Sequence, residues 1–532
     1  MGGTYTYNPP DKQYPDAQKA DPKKTKHRIY KLPEFDSTIE LDELSFPAEK
    51  NRKTQKLEDT ASVQYPLIRI NNYLMNKGEI DYFTIDCTEF LPKITLKCTF
   101  IHQTFISREM PKDGDIISIA IRNKTDLLNI IRNDYVITRV VSNKNPTLIS
   151  GPITMTFYGI LFIPWIQSTL DFAHSGTSFE TFKKLAKILK LGFSTNEDNT
   201  NDKQIWISGN LSMKDFINNT VKRSWRDDSS FYDIWIDIYY NLNFININKG
   251  LLSAEDEVDV GAFLDNVDKD YAYGLDTGNT IETAKVFSNY PGYRTSSFFI
   301  INWKPNNKST AITQDIGAKI IGQMFEHNSK LYLDPNSEKF WELEISPTYD
   351  NEKTNKYILL RGRTTFDASI NDNELARANH SYIDMYKKYP WLGTQYTLSN
   401  PERDSAEWDG NQHRNYLRAQ IQNLINNKEL EKLNLEITVN GTNFNLIKGE
   451  KVPVVIINND SVENMMINKE SQGMEMLDQF YSGWYIVKGF TISWAENNSP
   501  EILTNFSQKF ILTRREWPPP IATDAIKVNE NQ

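Results

Sequence analysis

The 532 residues of this chain give room for roughly three or four domains and a large buried core. A hydrophobic content of 39 % and a net charge of −9 exclude a dedicated nucleic-acid binder, which needs a basic face, but not a wall that DNA slides past. No apolar run approaches the ~20 residues that cross a bilayer, and the start, Met1-Gly2-Gly3-Thr4-Tyr5-Thr6, lacks the apolar centre of a secretory signal.

Residues 1–62 are polar, proline-bearing and charged in both signs, and cannot bury enough surface to order themselves. They read as an extended arm, with Ile29, Tyr30, Leu32 and Phe35 as docking points, and as a tether to a neighbouring subunit. Residues 63–163 carry short β-strands of a small barrel. Ile94, Leu96, Cys98 and Phe100 alternate with polar residues at the period of two of a half-buried strand. In that pattern Cys98 is a small core hydrophobe, and a disulfide to Cys87 is disfavoured because nothing suggests an oxidising compartment.

Residues 164–250 switch to helical period and form an α+β insert. Thr177 and Glu180 make a capping box, Phe179, Phe182, Leu185, Ala186 and Leu189 line one face, and Gly192 closes the helix. A second helix begins at Ser212. The spacing of Phe231, Ile234, Trp235, Ile238 and Tyr239 predicts a third, and Leu242 to Ile247 a returning strand. Residues 251–295 are an acidic irregular excursion. Asp268 and Asp270 run into Tyr271 and Tyr273, so the calcium-loop pattern fails. A mixed β/helical region spans 296–433, with strands at Ser297–Trp303, Lys330–Leu333, Phe340–Ile345 and Tyr357–Leu360, and a long helix over about 411–433. Residues 434–520 form a second small barrel and 521–532 a polar tail. The fold class expected is mainly β: two tube-type β-barrels separated by a helical α+β domain and a mixed region.

The two barrel segments share a plan. Gly114-Asp115 opens an apolar strand, followed by Tyr135-Val136-Ile137 and then Ile153 to Tyr158; Gly449-Glu450 opens Val452 to Ile457, followed by Tyr485-Ile486-Val487 and then Phe506 to Leu512. Turn residues and strand order agree although side chains differ, which points to an internal duplication.

The search for chemistry is negative. There is no phosphate-binding glycine loop, no nucleophile elbow and no zinc helix motif. The six histidines are scattered, none at i, i+3 or i+4 from another. No catalytic, cofactor or metal residue is assigned.

Several motifs instead resemble a family. Trp391-Leu392-Gly393, Asn411-Gln412-His413-Arg414-Asn415-Tyr416, Phe480-Tyr481-Ser482-Gly483-Trp484-Tyr485 and Gly489-Phe490-Thr491 are similar to the tail or baseplate hub proteins of large tailed bacteriophages. The stretch Asp171 to Leu191, with Asp237-Ile238-Tyr239-Tyr240-Asn241-Leu242-Asn243-Phe244, resembles late-control and VgrG-type hubs. The resemblance implies a non-enzymatic homotrimer whose six barrels match a sixfold tube. It would join a tail tube protein to a central spike or tip protein, contact other baseplate proteins, and line a channel that DNA crosses without specific binding. It would sit in the virion tail after assembly in the host cytoplasm, without membrane insertion or cofactor. Trp391, Gly393, Gly483, Trp484, Gly489, Phe490 and Trp494 are expected in barrel packing. Two other classes stay open: a virion-associated peptidoglycan hydrolase, which a zymogram would reveal, and a peripheral baseplate or receptor-binding protein, which mass in solution would separate.

Overall fold

The computed structural model describes residues 66–100, 110–122, 130–144, 152–169, 171–227, 230–251, 299–306, 433–440, 446–456, 480–495 and 506–514, with parts of the arm between 30 and 44 and isolated shorter positions. The expected strands at 330–333 and 340–343, the calcium-like acidic stretch, Trp391 and Gly393 lie outside the described residues.

The fold is mainly β, with few helices, and its main sheet curls into a half-barrel. The N-terminal module contributes β1 (Leu67–Ile70), β2 (Ile80–Asp86), β3 (Lys93–Phe100), β4 (Ile116–Arg122), β5 (Ile130–Lys144) and β6 (Ile153–Leu161). On β3 the period-two pattern is complete: Ile94, Leu96, Cys98 and Phe100 are buried and the residues between are half-exposed. Each such side chain contributes at most about 1.5–3 kcal/mol through burial.

The α+β insert follows, with β7 (Ala173–Gly176), α1 (Ser178–Ile188), β8 (Gly192–Thr195), β9 (Gln204–Ile207), α2 (Met213–Val221), β10 (Tyr232–Ile236) and β11 (Asn241–Asn246). Thr177 caps α1 with the expected box, and Ser212 caps α2. Two readings need correction. Helix α1 ends not at Gly192 but at Lys190, whose φ of 58° supplies the left-handed turn. The Leu191 N–H then donates to Ala186 and the Lys190 N–H to Lys187, the two bonds of a Schellman cap. The expected third helix is strand β10. Tyr232, Ile234, Trp235 and Ile236 are all buried, so the apolar run reflects burial on both faces rather than a helical stripe.

The C-terminal module contains β12 (Phe287–Ser288), β13 (Ile300–Pro305), β14 (Leu433–Asn440), β15 (Lys451–Val455), β16 (Gly483–Ala495) and β17 (Phe506–Arg514). Both modules enter one 13-stranded sheet. Its order is β13-β14-β17-β16-β2-β3-β6-β5-β4-β1, ending on the two-residue strand Tyr73–Leu74 beside β1, with β15 against the first half of β16 and β12 beside β15.

That order is the same path taken twice: β2-β3-β6-β5-β4-β1, then β13-β14-β17-β16-β15-β12. Irregularities repeat as well. The β5/β6 pairing skips Thr138 and the β16/β17 pairing skips Lys488. The β2/β3 pairing skips Asp81 and the β13/β14 pairing skips Ile301. Bulges at matching places are specific marks of a shared backbone plan. The modules part at their ends, where β1 runs antiparallel to β4 and pairs with Tyr73–Leu74, while β12 runs parallel to β15.

Candidate assembly surface

The two modules meet where the second half of β16 pairs with β2, Thr491 opposite Asp86 through Ala495 opposite Tyr82. Side chains lock this joint. Phe83 stacks on Trp494 with centroids 6.0 Å apart and planes 11° apart, and meets Phe506 edge-on at 6.2 Å. Ile85 and Ile492, paired opposite each other, are fully buried. At the bulge, the Cys87 N–H donates to the Phe490 carbonyl at 2.8 Å. A Cβ on Gly489 would lie 2.7 Å from Thr88 Cα, so the two backbones approach as closely as they do only because that residue is glycine.

Of the residues singled out from sequence, Gly489, Phe490 and Trp494 therefore come together at this joint. Gly483 and Trp484 lie at the other end of β16, opposite Val454 and Pro453. Gly483 takes φ 135°, and the Lys451 ammonium sits 5.9 Å from the Trp484 ring. The joint draws equally on Phe83, Ile85 and Thr88, which sequence reasoning missed. The only signal of Phe83 and Ile85 was the apolar alternation of β2, which says "buried" without naming a partner strand, and Thr88, beyond that strand, gave none.

The α+β insert bridges the modules. Asp237 is buried in the turn between β10 and β11. Its Oδ1 accepts from the Tyr239 and Asn241 N–H groups, both at 2.9 Å, and its Oδ2 from Asn241 Nδ2 at 3.2 Å and Asn243 Nδ2 at 3.0 Å. Burial pushes this carboxyl up, against the pull of those bonds. The turn presents Tyr240, whose hydroxyl accepts from the Asp134 N–H at 2.9 Å, while Asn133 Nδ2 donates to the Ile238 carbonyl at 2.7 Å. That ties the insert to β5. Lys448, beside Gly449 of the C-terminal module, pairs with Asp233 at 3.0 Å and lies 4.6 Å from the Trp235 ring. A cleft of about 650 Å³ opens along this seam. Asn423 also lines it, accepting from the Tyr232 N–H at 2.8 Å.

The arm's described residues dock on their own chain. Tyr30 and Lys31 pair with Thr195 and Ser194 of β8, and the Leu32 N–H donates to Phe193. Ile39, Leu41 and Leu44 are buried, and Arg132 Nε donates to the Leu44 carbonyl at 2.9 Å.

Opposite its core face, the sheet shows threonine, serine and paired charges. Lys97 lies 3.8 Å from Asp81 and Lys509 2.6 Å from Glu436, while Thr99 Oγ1 donates to Asp81 at 2.9 Å. The bond from Lys509 holds the Glu436 carboxyl below its ordinary range. The face is hydroxyl-rich and locally neutralised. Both cysteines are free and buried, and burial pushes both thiols up, which keeps them protonated and unreactive. Among the described residues no group of three or more His, Cys, Asp or Glu is arranged to hold a metal ion, and no helix is long and apolar enough to cross a membrane.

No known protein family matches this chain, and no curated protein does. Solved structures do. The tail protein from Neisseria meningitidis MC58 is similar at a TM-score of 0.40 and 11% identity, over 87% of this chain and 99% of that one. The 43 kDa tail protein of prophage MuSo2 from Shewanella oneidensis gives 0.40 and 10% over 87% and 99%. The half-lidded Francisella PdpA-VgrG complex gives 0.35 and 8% over 85% of this chain and 59% of that chain. Scores and identities this low describe a distant likeness, and no activity or partner is carried across on them.

Proposed function

We propose that this chain is a structural component of a phage tail or baseplate: the hub, built from three copies, that presents six similar β-modules around an axis. One side would meet the tail tube and the other a central spike or tip protein, with further baseplate proteins around it. The observation that supports this reading is the repetition itself. Two modules with the same strand path, the same glycine turn and the same two bulges follow each other in one sheet. Three copies of a twofold-repeated chain make six equivalent positions, which lets a threefold part match a sixfold one.

The open face of the sheet suits a channel wall. Lys97 and Lys509 on it are paired with carboxylates, and Thr99 beside Asp81 adds a hydroxyl. Such a surface offers a DNA backbone neither a run of cations to bind nor a strong field to repel it. The closely packed glycine and aromatic positions Gly483, Trp484, Gly489, Phe490 and Trp494 serve packing rather than chemistry in this reading.

The test is the mass of the purified chain in solution across a range of concentrations. Three copies per particle support the hub. A chain that stays single at the highest concentration, or clears peptidoglycan in a zymogram, overturns it.

A further inference from the structure

The joint between modules is made once within the chain, and its two halves exist a second time. By the matched registers, Val141–Lys144 of β5 corresponds to Thr491–Trp494 of β16, because Val141 pairs with Thr156 as Thr491 pairs with Lys509. Likewise Trp303, Lys304 and Pro305 of β13 correspond to Phe83, Thr84 and Ile85 of β2. Among the described residues, β13 pairs only with β14, and residues 141–144 pair only with β6. Ile301 is 53% exposed on that edge, and Trp303 is only half-buried where its counterpart Phe83 is fully buried.

We propose that residues 141–144 of β5 pair antiparallel with β13 of a second copy of this chain, in the register of the internal joint. Lys144 then faces Trp303 of the other copy, Asn143 faces Lys304 and Ser142 faces Pro305. This rests on the ring reading above and names the strands that close it. The contact is heterologous, one edge meeting a different edge, so repeated application of it builds a ring.

The sequence also fixes how this joint differs from the internal one. The Asn306 N–H donates to the Asn434 carbonyl at 2.8 Å. By the alternation of antiparallel bonding, position 305 then directs its nitrogen to the free edge. Ile85 has an N–H to give there, and Pro305 has none. Pairing between copies is therefore centred on Trp303 and the Pro305 carbonyl and is weaker than pairing within the chain. A proline and a bulge on one edge also discourage pairing with unrelated strands.

The experiment is a cysteine pair, Asn143→Cys with Lys304→Cys, in the full chain, with mass in solution measured in parallel. Antiparallel positions of this non-hydrogen-bonded type have Cα atoms ~4.5 Å apart, within disulfide range. The native Cys87 and Cys98 are buried and give little background. Oxidation is expected to give reducible covalent dimers and trimers. A pair slipped by two residues, Asn143→Cys with Asn302→Cys, should link about tenfold less. Three-copy particles that fail to link, or link equally in the slipped pair, overturn the joint while leaving the ring reading intact. Chains that remain single overturn the ring reading itself. If the doubly substituted chain does not fold, amide exchange on the native chain decides. Protection of the Ser142, Lys144 and Trp303 amides, the ones that alternation directs to the joint, should rise with concentration, and unchanged exchange in assembled particles overturns the proposal.

Discussion

Gly114 and Gly449, 335 positions apart in the chain by their numbers, hold the same backbone conformation, with φ of 91° and 90°. They also make the same bonds. The Gly114 N–H donates to Ile137 and the Ile137 N–H to Asp115; the Gly449 N–H donates to Val487 and the Val487 N–H to Glu450. Each glycine opens the corresponding strand of its module, and φ near 90° is a region that side chains with a Cβ rarely adopt.

Replacing either glycine by alanine should therefore cost about 1–2 kcal/mol through backbone strain. At Gly114 no atom lies within 4 Å of the added Cβ, so strain is the whole effect there. Similar losses in denaturant midpoint for the two variants would show that the turns are energetically as well as geometrically equivalent. An unchanged midpoint in one of them would show that its turn relaxes.

At the module joint, Trp494→Ala should cost about 3–5 kcal/mol, the usual penalty for emptying a large buried aromatic site. Phe83→Ala should cost a comparable amount. Because the two rings stack, the double variant should lose about 0.5–1.5 kcal/mol less than the sum. A double-mutant cycle by chemical denaturation measures this, and full additivity would deny the contact.

Asp202 gives a pH prediction. It accepts from the Ser178 N–H and the Thr200 hydroxyl on Oδ1, at 2.8 and 2.7 Å, and from the Trp225 N–H on Oδ2 at 2.9 Å. Burial nonetheless raises its pKa above the ordinary 3.8. A raised folded value means that its stabilising contribution is full below the unfolded pKa and is lost as pH rises through the folded one. Asp202→Asn places an amide donor against these donors and should cost about 1–3 kcal/mol. The cost should be greatest in acid and shrink as pH rises. Thermal midpoints of both proteins across that window check the sign, and a gap that widens with pH would show that the hydrogen bonds outweigh burial.

Lys190 offers a gain. Its left-handed conformation ends α1 and its carbonyl accepts from the Thr38 N–H and Ser37 Oγ, contacts that any residue's backbone can make. Lys190→Gly should stabilise the chain by about 1 kcal/mol, read as a higher melting temperature.

Much of this was legible in the sequence because it is local. The box of Thr177 and Glu180, the Ser212 cap and the alternation of Ile94 to Phe100 are each set by neighbouring residues, and all three stand where expected. The paired turns of Gly114 and Gly449 were legible because glycine marks a backbone need directly. The strand at Tyr232–Ile236 was misread because an apolar run buried on both faces satisfies a helical template by chance. Pairing of β16 with β2 spans some four hundred positions and depends on which edges meet in space, which no local period encodes. The buried carboxylate of Asp202 was missed for a related reason: its partners Ser178, Thr200 and Trp225 come from separate stretches of the chain.

The most direct test of the account is an electron micrograph of the purified, assembled chain viewed down its axis. The account predicts a closed ring of three copies whose inner wall shows six similar lobes, related exactly by threefold and approximately by sixfold rotation. A ring with only three distinct lobes, another copy number, or a particle with no axial opening would contradict it.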